Sequence, residues 1–439
     1  TMKHAFPRLA SLAVAAVVAL ASATPATAAP SVEPGRADPG TSRPKTCLVL
    51  SGGGARGAAH IGVLKVLEEL RVPVDCVVGT SMGSIVGAAY ASGLSPGQIA
   101  DIVRDADWDT LLSDQPPRAD RSVYAKEVDR ARVGSTEVGL RRDGLVLPQG
   151  VLVGHQLHFF LQRIVAQART DVFDELPIPY RAIATDFETG AMAVLDRGDL
   201  ATAMRASMSV PGAFAPVERD GRLLVDGGLV RNLPVDVARK LGAEVVIAVN
   251  LGTPLLPRDR LTSIVAAAEQ TLNILTEQNV QASLASLGPR DVLVAPELGD
   301  LTAGDFQRSV EAIPAGEAAA RAVADRLASL SVDPASYERW RDRQRRDAPE
   351  PRIDRLRVDT GALKHVRPES VEAVFAGVES AQDVRRATNQ LLGTDDFERV
   401  EARTEEDGGV ATLVLRPIEK SWGPNYLRGG LAMDADLEG

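Results

Sequence analysis

The chain predicts an α/β fold, with a mostly parallel central sheet carrying helices on both faces, followed by a small α+β domain. Three observations predict it. Short apolar runs of the kind buried on both faces of a sheet recur along the first three quarters, most clearly Val245-Val246-Ile247-Ala248-Val249. Helix-period segments alternate with those runs. Beyond a break at Asp347-Ala348-Pro349-Glu350-Pro351, the order changes to strand, helix, helix, strand, strand. With 439 residues and 45% apolar content the chain has material for two or three domains, at about 150 residues each.

The elements follow in order. Thr46 to Ser51 reads as a buried strand and runs directly into Gly52-Gly53-Gly54-Ala55-Arg56-Gly57. A helix from Ala58 to Leu70 comes next, with Ile61, Leu64, Leu67 and Leu70 on one face. Cys76-Val77-Val78 reads as the end of a second strand, and Ser84 to Ala91 as a helix start. Ser95-Pro96-Gly97-Gln98 supplies a cap serine and a first-turn proline for a helix to about Arg104. From Asp107 to Pro148 the pattern is irregular, with alternating stretches at 136–140 and 144–147. Two readings stand there, a lid over an acyl-chain site or an extra β-hairpin. Strands recur at Tyr180 to Asp186, Ala191 to Leu195 and Glu244 to Asn250. Helices are expected at 199–208, 234–241, 262–277 and from Pro314 to Leu330. In the last third, a strand ending at Val358 precedes helices from Pro368 to Phe375 and Ala381 to Leu392. Strands from Phe397 to Ala402 and Val410 to Leu415 then flank a turn at Asp407-Gly408-Gly409.

Three motifs carry chemistry. Gly79-Thr80-Ser81-Met82-Gly83 stands between a strand and a helix, and its small residues let the chain reverse sharply, pushing the Ser81 hydroxyl out at the tip. The glycine loop at 52–57 feeds a helix start, so its backbone N–H groups face an anion. A dinucleotide loop shares this spacing but expects an acid about 20 residues on, at the end of the second strand. Asp75 stands near that distance yet precedes its strand, so Gly52, Gly53, Gly54, Ala55, Arg56 and Gly57 are better read as an oxyanion hole. The third motif is Leu224-Val225-Asp226-Gly227-Gly228, an acid that two glycines leave uncrowded. A partly buried carboxylate takes a serine proton as attack proceeds; the plain alternative is an ordinary turn.

These motifs, with Ala59-His60-Ile61-Gly62-Val63-Leu64 and Ala206-Ser207-Met208-Ser209-Val210-Pro211-Gly212-Ala213-Phe214, resemble the patatin-like phospholipases in order and spacing over residues 46–330. The resemblance implies a dyad of Ser81 as nucleophile and Asp226 as proton acceptor, an oxyanion hole from the 52–57 backbone, and hydrolysis of acyl esters in lipids and phospholipids. Gly79, Gly83, Gly227 and Gly228 match the motif positions. No metal and no cofactor is expected. In this family's fold the first two strands are parallel neighbours, which sets Cys47 and Cys76 at a similar level. An oxidised pair and two buried thiols are both open, since two cysteines do not make a disulfide framework.

The five histidines include His155 and His158, i, i+3 neighbours on one helical stretch. They present no third metal ligand. A Ser81–His155–Asp226 triad is the alternative to the dyad.

The N-terminus has Lys3 and Arg8, an apolar run from Leu9 to Ala21, and Ala26-Thr27-Ala28 as a cleavage pattern. It reads as a signal peptide over 1–28, followed by a linker over 29–45. This points to export into a bacterial envelope or beyond. A net charge of −10 argues against a nucleic-acid partner. Residues 331–350 read as a helical linker; the arginines from Arg339 to Arg346 suit a solvated face or anionic headgroups.

The βααββ order over 351–418 is similar to a POTRA domain. In the tail 419–439, Leu427, Gly429, Leu431, Met433, Ala435 and Leu437 alternate with polar or small residues, and Trp422 and Tyr426 precede them. That suits a membrane β-strand or an amphipathic strand of a soluble sheet. The layout resembles the patatin-type outer-membrane autotransporters, which implies membrane association through a following barrel and leaves the catalytic domain periplasmic or at the cell surface. A different class of function is then an outer-membrane assembly or secretion module with the lipase-like domain as lipid-binding cargo. A homodimer is left open.

Overall fold

The computed structural model describes residues 43–113, 133–141, 144–146, 152, 154–168, 170–344, 354–378, 380–394, 396–407, 410–420 and 426–431. The expected signal peptide and nearly all of its linker lie outside the described residues, as do 114–132 of the expected lid or hairpin.

Fourteen strands are described: β1 (Thr46–Leu50), β2 (Cys76–Thr80), β3 (Val133–Arg141), β4 (Gly144–Val146), β5 (Tyr180–Asp186), β6 (Met192–Leu195), β7 (Val217–Arg219), β8 (Arg222–Asp226), β9 (Val245–Val249), β10 (Val292–Val294), β11 (Arg355–Val358), β12 (Phe397–Asp407), β13 (Val410–Glu419) and β14 (Tyr426–Leu431). The main sheet has the order β10-β9-β1-β2-β5-β8-β7, with β6 also on β5. It is parallel from β10 to β5; β6, β7 and β8 join antiparallel. The expected α/β class with a mostly parallel sheet is the observed one.

The apolar runs of β1 and β2 are buried on both sides because alternate residues feed two cores. Leu48, Leu50 and Val77 pack with Ile61, Leu64 and Leu67 of helix α1 (Ala59–Glu69) and with helix α2 (Met82–Ala91). Cys47, Val49, Cys76 and Val78 pack with Leu233, Val235 and Val280 on the other side. Cys47 and Cys76 are paired in register, with Cα atoms 4.6 Å apart, and are joined as a disulfide. Of the two readings open in the sequence, the structure has the bonded one.

After α2, helix α3 (Pro96–Arg104) starts on the expected cap: the Gln98 N–H donates to Ser95 Oγ at 3.2 Å and the Gln98 side chain accepts from the Ser95 N–H at 2.9 Å. The stretches expected to alternate form the β3–β4 hairpin. The tail strand β14 pairs antiparallel with β3, from Tyr426 opposite Gly139 to Leu431 opposite Val133. Within the described residues that strand is thus paired inside the chain.

Within the stretch expected as a helical linker, the helix Pro334–Gln344 forms and also buries Tyr337 and Trp340, and the Trp340 indole N–H donates to the Val74 carbonyl at 3.2 Å. The second small sheet has the order β11-β13-β12, with helices Pro368–Val374 and Ala381–Leu392 between β11 and β12. Its own core gathers Val371, Phe375, Leu391, Phe397, Val400 and Leu415. This is the βααββ order read over 351–418.

Candidate active site

The site is built by strand register. On β5, Ile183 pairs with Thr80 of β2 and, across its other edge, with Val194 of β6. One residue on, Ala184 pairs with Asp226 of β8 and again with β6, through Ala193. Since β6 holds one edge throughout, β2 and β8 share the other and meet end to end. The residue that follows β2 is Ser81, and the residue that ends β8 is Asp226. Two motifs far apart in sequence are therefore neighbours in one row of the sheet.

Ser81 has φ 53° and ψ −125°, a conformation that costs a residue with a side chain on the order of 1–3 kcal/mol. Its backbone is held on both sides. The Ser81 N–H donates to Ser207 Oγ at 2.9 Å, and Ser207 Oγ donates on to the Ile183 carbonyl at 2.6 Å. The Ser81 carbonyl accepts from the N–H and the hydroxyl of Ser84, at 2.9 and 2.7 Å. Gly79 and Gly83 lie against each other across this bend.

Asp226 is as firmly placed. Its N–H donates to the Ser209 carbonyl at 2.9 Å, its carbonyl accepts from Thr185 Oγ1 at 2.8 Å, and its Oδ1 accepts from the Gly228 N–H at 2.7 Å. A side chain at Gly227 would run into the Ile183 carbonyl, so only glycine lets the turn sit this close to β5. Burial pushes the Asp226 pKa up to about 6, against the smaller opposing pull of the Gly228 hydrogen bond and of the adjoining Ser81 side chain.

The glycine loop runs alongside. A Cβ on Gly52 would lie 2.9 Å from the Ser81 Cβ. Of the six loop residues, Gly52 donates its N–H to Asn232 Oδ1 at 3.0 Å and Ala55 donates to the Ala303 carbonyl at 2.8 Å. The N–H groups of Gly53 and Gly54 make no hydrogen bond among the described residues. They head the short 3-10 helix Gly54–Ala58, of which Arg56 and Gly57 are interior members. Arg56 is buried, its Nε donates to the Gly53 carbonyl at 3.3 Å, and burial lowers its pKa. Gly57 packs against Met82. The acid of the dinucleotide alternative, Asp75, is engaged elsewhere: Arg43 and the Thr46 N–H bind its carboxylate.

Beside the serine, a wholly apolar pocket opens among Met82, Ile85, Trp108, Leu157, Phe160 and Met208. Trp108 meets Phe160 edge-on there, ring centroids 5.8 Å apart.

The histidines lie apart from this pair. His60 is fully buried with Nε2 2.8 Å from the Ser51 carbonyl, and burial lowers its pKa to about 4. His155 and His158, with charged side chains such as Asp199, Arg205 and Glu401, line a cavity of about 290 Å³ between the helices His155–Ile164 and Leu200–Ser207 and strands β12 and β13. The His155 ring bonds the Glu398 backbone, and burial, helped by His158 and Arg399, takes its pKa to about 3. Burial lowers His158 as well. Neither contributes to the Asp226 environment. Among the described residues no cluster of three His, Cys, Asp or Glu side chains is set to hold a metal.

Sequence reading missed Asn232, Ser207 and Asn279. Asn232 joins the glycine loop to the Asp-Gly-Gly turn, and its own N–H is held by Asn279 Oδ1 at 2.7 Å. The signal for Ser207 was present in the Ala206–Phe214 stretch; for the two asparagines none was.

A nucleophile elbow and a buried acid at facing strand ends define the patatin type of α/β fold. Residues 48–239 match the family model described as patatin-like phospholipase. A patatin-like phospholipase domain-containing protein of Caenorhabditis elegans is 38% identical over 208 residues, covering 47% of this chain and 13% of that protein. The human patatin-like phospholipase domain-containing protein 6 is 37% identical over 209 residues, with the same shares, 47% and 13%. An uncharacterized NTE family protein of Mycobacterium tuberculosis is 34% identical over 214 residues, covering 48% of this chain and 50% of its own length. The match thus spans half or less of each of these relatives. Among solved structures, VipD from Legionella pneumophila aligns with a TM-score of 0.38 at 15% identity, over 64% of this chain and 67% of that one.

Proposed function

We propose that the protein is a serine acyl hydrolase that releases fatty acids from lipid esters. The observation that carries this reading is the meeting of the strained Ser81 and the buried Asp226 at abutting strand ends, with Ser81 beside the carboxyl. Ser81 Oγ attacks the ester carbonyl carbon while its proton passes to Asp226. The carbonyl oxygen, now anionic, receives the N–H groups of Gly53 and Gly54, each worth about 3 kcal/mol in the transition state. The ester C–O bond breaks, and the leaving alcohol takes the proton from Asp226. Water then attacks the acyl-serine, gives a proton to Asp226, and the fatty acid departs as Ser81 regains its hydrogen. The apolar lining at Met82, Phe160 and Met208 supports a lipid substrate over a peptide; at about 20 Å³ the pocket must widen to take an acyl chain.

The leader and the alternating tail extend the proposal to an exported enzyme held at a bacterial outer membrane. Fluorophosphonate labelling of the intact protein, lost in Ser81→Ala, tests the nucleophile. Fatty acid released from defined glycerophospholipids with chelator present tests the reaction; labelling that survives the substitution, or no release of fatty acid, contradicts it.

A further inference from the structure

Between β9 and β10 the chain makes a long excursion whose two feet stand on the candidate site. At its start, Leu251 packs on Gly53 of the glycine loop and donates its N–H to Ser51 Oγ at 3.0 Å. At its return, Thr276 Oγ1 and Asn279 Nδ2 both donate to the Gly228 carbonyl, at 3.2 and 2.8 Å. What lies between, residues 252–275, is therefore fixed at the mouth of the site.

The first half of the helix Ile264–Ala285 leaves large apolar side chains in water. Two of its polar side chains reach back to the loop ahead, while Glu269 and Thr271 stay exposed: Gln270 Oε1 accepts from the Leu256 N–H at 2.7 Å and Asn273 Nδ2 donates to the Pro254 carbonyl at 3.4 Å. Its apolar side chains turn outward: Ile264 is 91% exposed, and Leu275, three turns on along the same stripe, is 44% exposed. Ile274 beside it, and Leu255 and Leu261 from the loop ahead, are exposed as well. Between those two leucines the turn Arg258–Arg260 presents Arg258 and Arg260, neither with an ion-pair partner among the described residues. Apolar side chains flanked by unpaired guanidinium groups match the two layers of a lipid surface, acyl chains below and phosphates above.

We propose that this outward face of residues 255–275 is the surface by which the protein docks on a phospholipid bilayer, setting the Ser81 site against the lipid. The proposal rests on the acyl-hydrolase reading for its purpose, but docking is measurable without turnover. Sedimentation with unilamellar vesicles of phosphatidylcholine and phosphatidylglycerol, using Ser81→Ala protein so that the vesicles stay intact, measures it. The double substitution Ile264→Asp and Leu275→Asp in that background is expected to weaken vesicle binding by about ten-fold or more, while Ile264→Leu keeps it. The aspartate at 264 falls in the first helical turn, where an acid favours the helix. Arg258→Gln with Arg260→Gln is expected to remove the preference for phosphatidylglycerol vesicles. Fluorophosphonate labelling of the same surface variants with Ser81 restored reports whether the site is intact. Vesicle binding unchanged by the double substitution overturns the proposal. So does a change of oligomeric state in its place, which makes the face an interface between copies. Failure of Ser81 to label with vesicle binding intact instead sinks the hydrolase reading and leaves the docking surface standing.

Discussion

The Ser81–Asp226 site and the cavity around His155 and His158 both bury ionisable groups, yet only one of them sets a strained serine beside a raised carboxyl. At the first, two strand ends abut, the serine is held in a strained conformation by Ser207 and Ser84, and the acid beside it is raised to about 6. At the second, a helix start meets the surface of a small sheet. Its charges are spent on one another: Arg399 pairs with Glu398 and Glu401, at 3.0 Å each, and burial leaves the imidazoles neutral. Burial alone makes a titratable group unusual. A nucleophile against it and unpaired amides beside it make it useful.

Covalent linkage separates the two regions first. The disulfide ties β1 to β2 across a separation of 29 residues, which is worth about 3–4 kcal/mol by loop entropy. Thermal unfolding with and without reductant, with Cys47→Ala/Cys76→Ala as control, is expected to show that loss; two free thiols in denatured, unreduced protein contradict the bond.

The next contrast is in pH. The Asp226 pKa is about 6 folded and 3.8 unfolded, so protonation favours the folded state. That stabilisation is complete below 3.8 and lost as pH rises through 6. Asp226→Asn removes the desolvated charge and is expected to raise stability at pH 8 by on the order of 2 kcal/mol. The imidazoles act in the opposite sense: with folded values of about 4 for His60 and about 3 for His155 against 6.5 unfolded, their contribution is full above 6.5 and drains away as pH falls through the folded values. Urea midpoints of the parent and of Asp226→Asn across pH 4–8 check both signs. For activity, the carboxylate must be ionised to accept a proton, so kcat is expected to fall about ten-fold per pH unit below about 6.

A smaller effect sharpens the site itself. Asn232→Ala frees the Gly52 N–H and loosens the loop against the turn, and is expected to lower kcat about ten-fold with little change in KM. An unchanged kcat means that the loop holds its place without Asn232.

Much of this was legible in residue order. The elbow, the glycine loop and the alternation of β1, β2 and β9 follow from local composition, as does the βααββ order of the last third. The braces were not. That β2 and β8 share an edge of β5 depends on a register between segments over a hundred residues apart, and Asn232 gains its role only once that register is set. The helix Pro334–Gln344 read as a helical linker because the charged residues from Glu338 to Arg343 hide the two aromatics that dock it. The helix Ile264–Ala285 was expected over 262–277 but not as one that leaves Ile264, Ile274 and Leu275 in water, since periodicity fixes a stripe and not what covers it.

The proton transfer between Ser81 and Asp226 is tested most directly by fatty acid release from one defined phospholipid, measured side by side for Asp226→Asn and for His155→Ala/His158→Ala. The account predicts a fall of about a thousand-fold or more in the first and most of the parent rate in the second. Substantial turnover in Asp226→Asn, or its loss with the histidines alone, would contradict it.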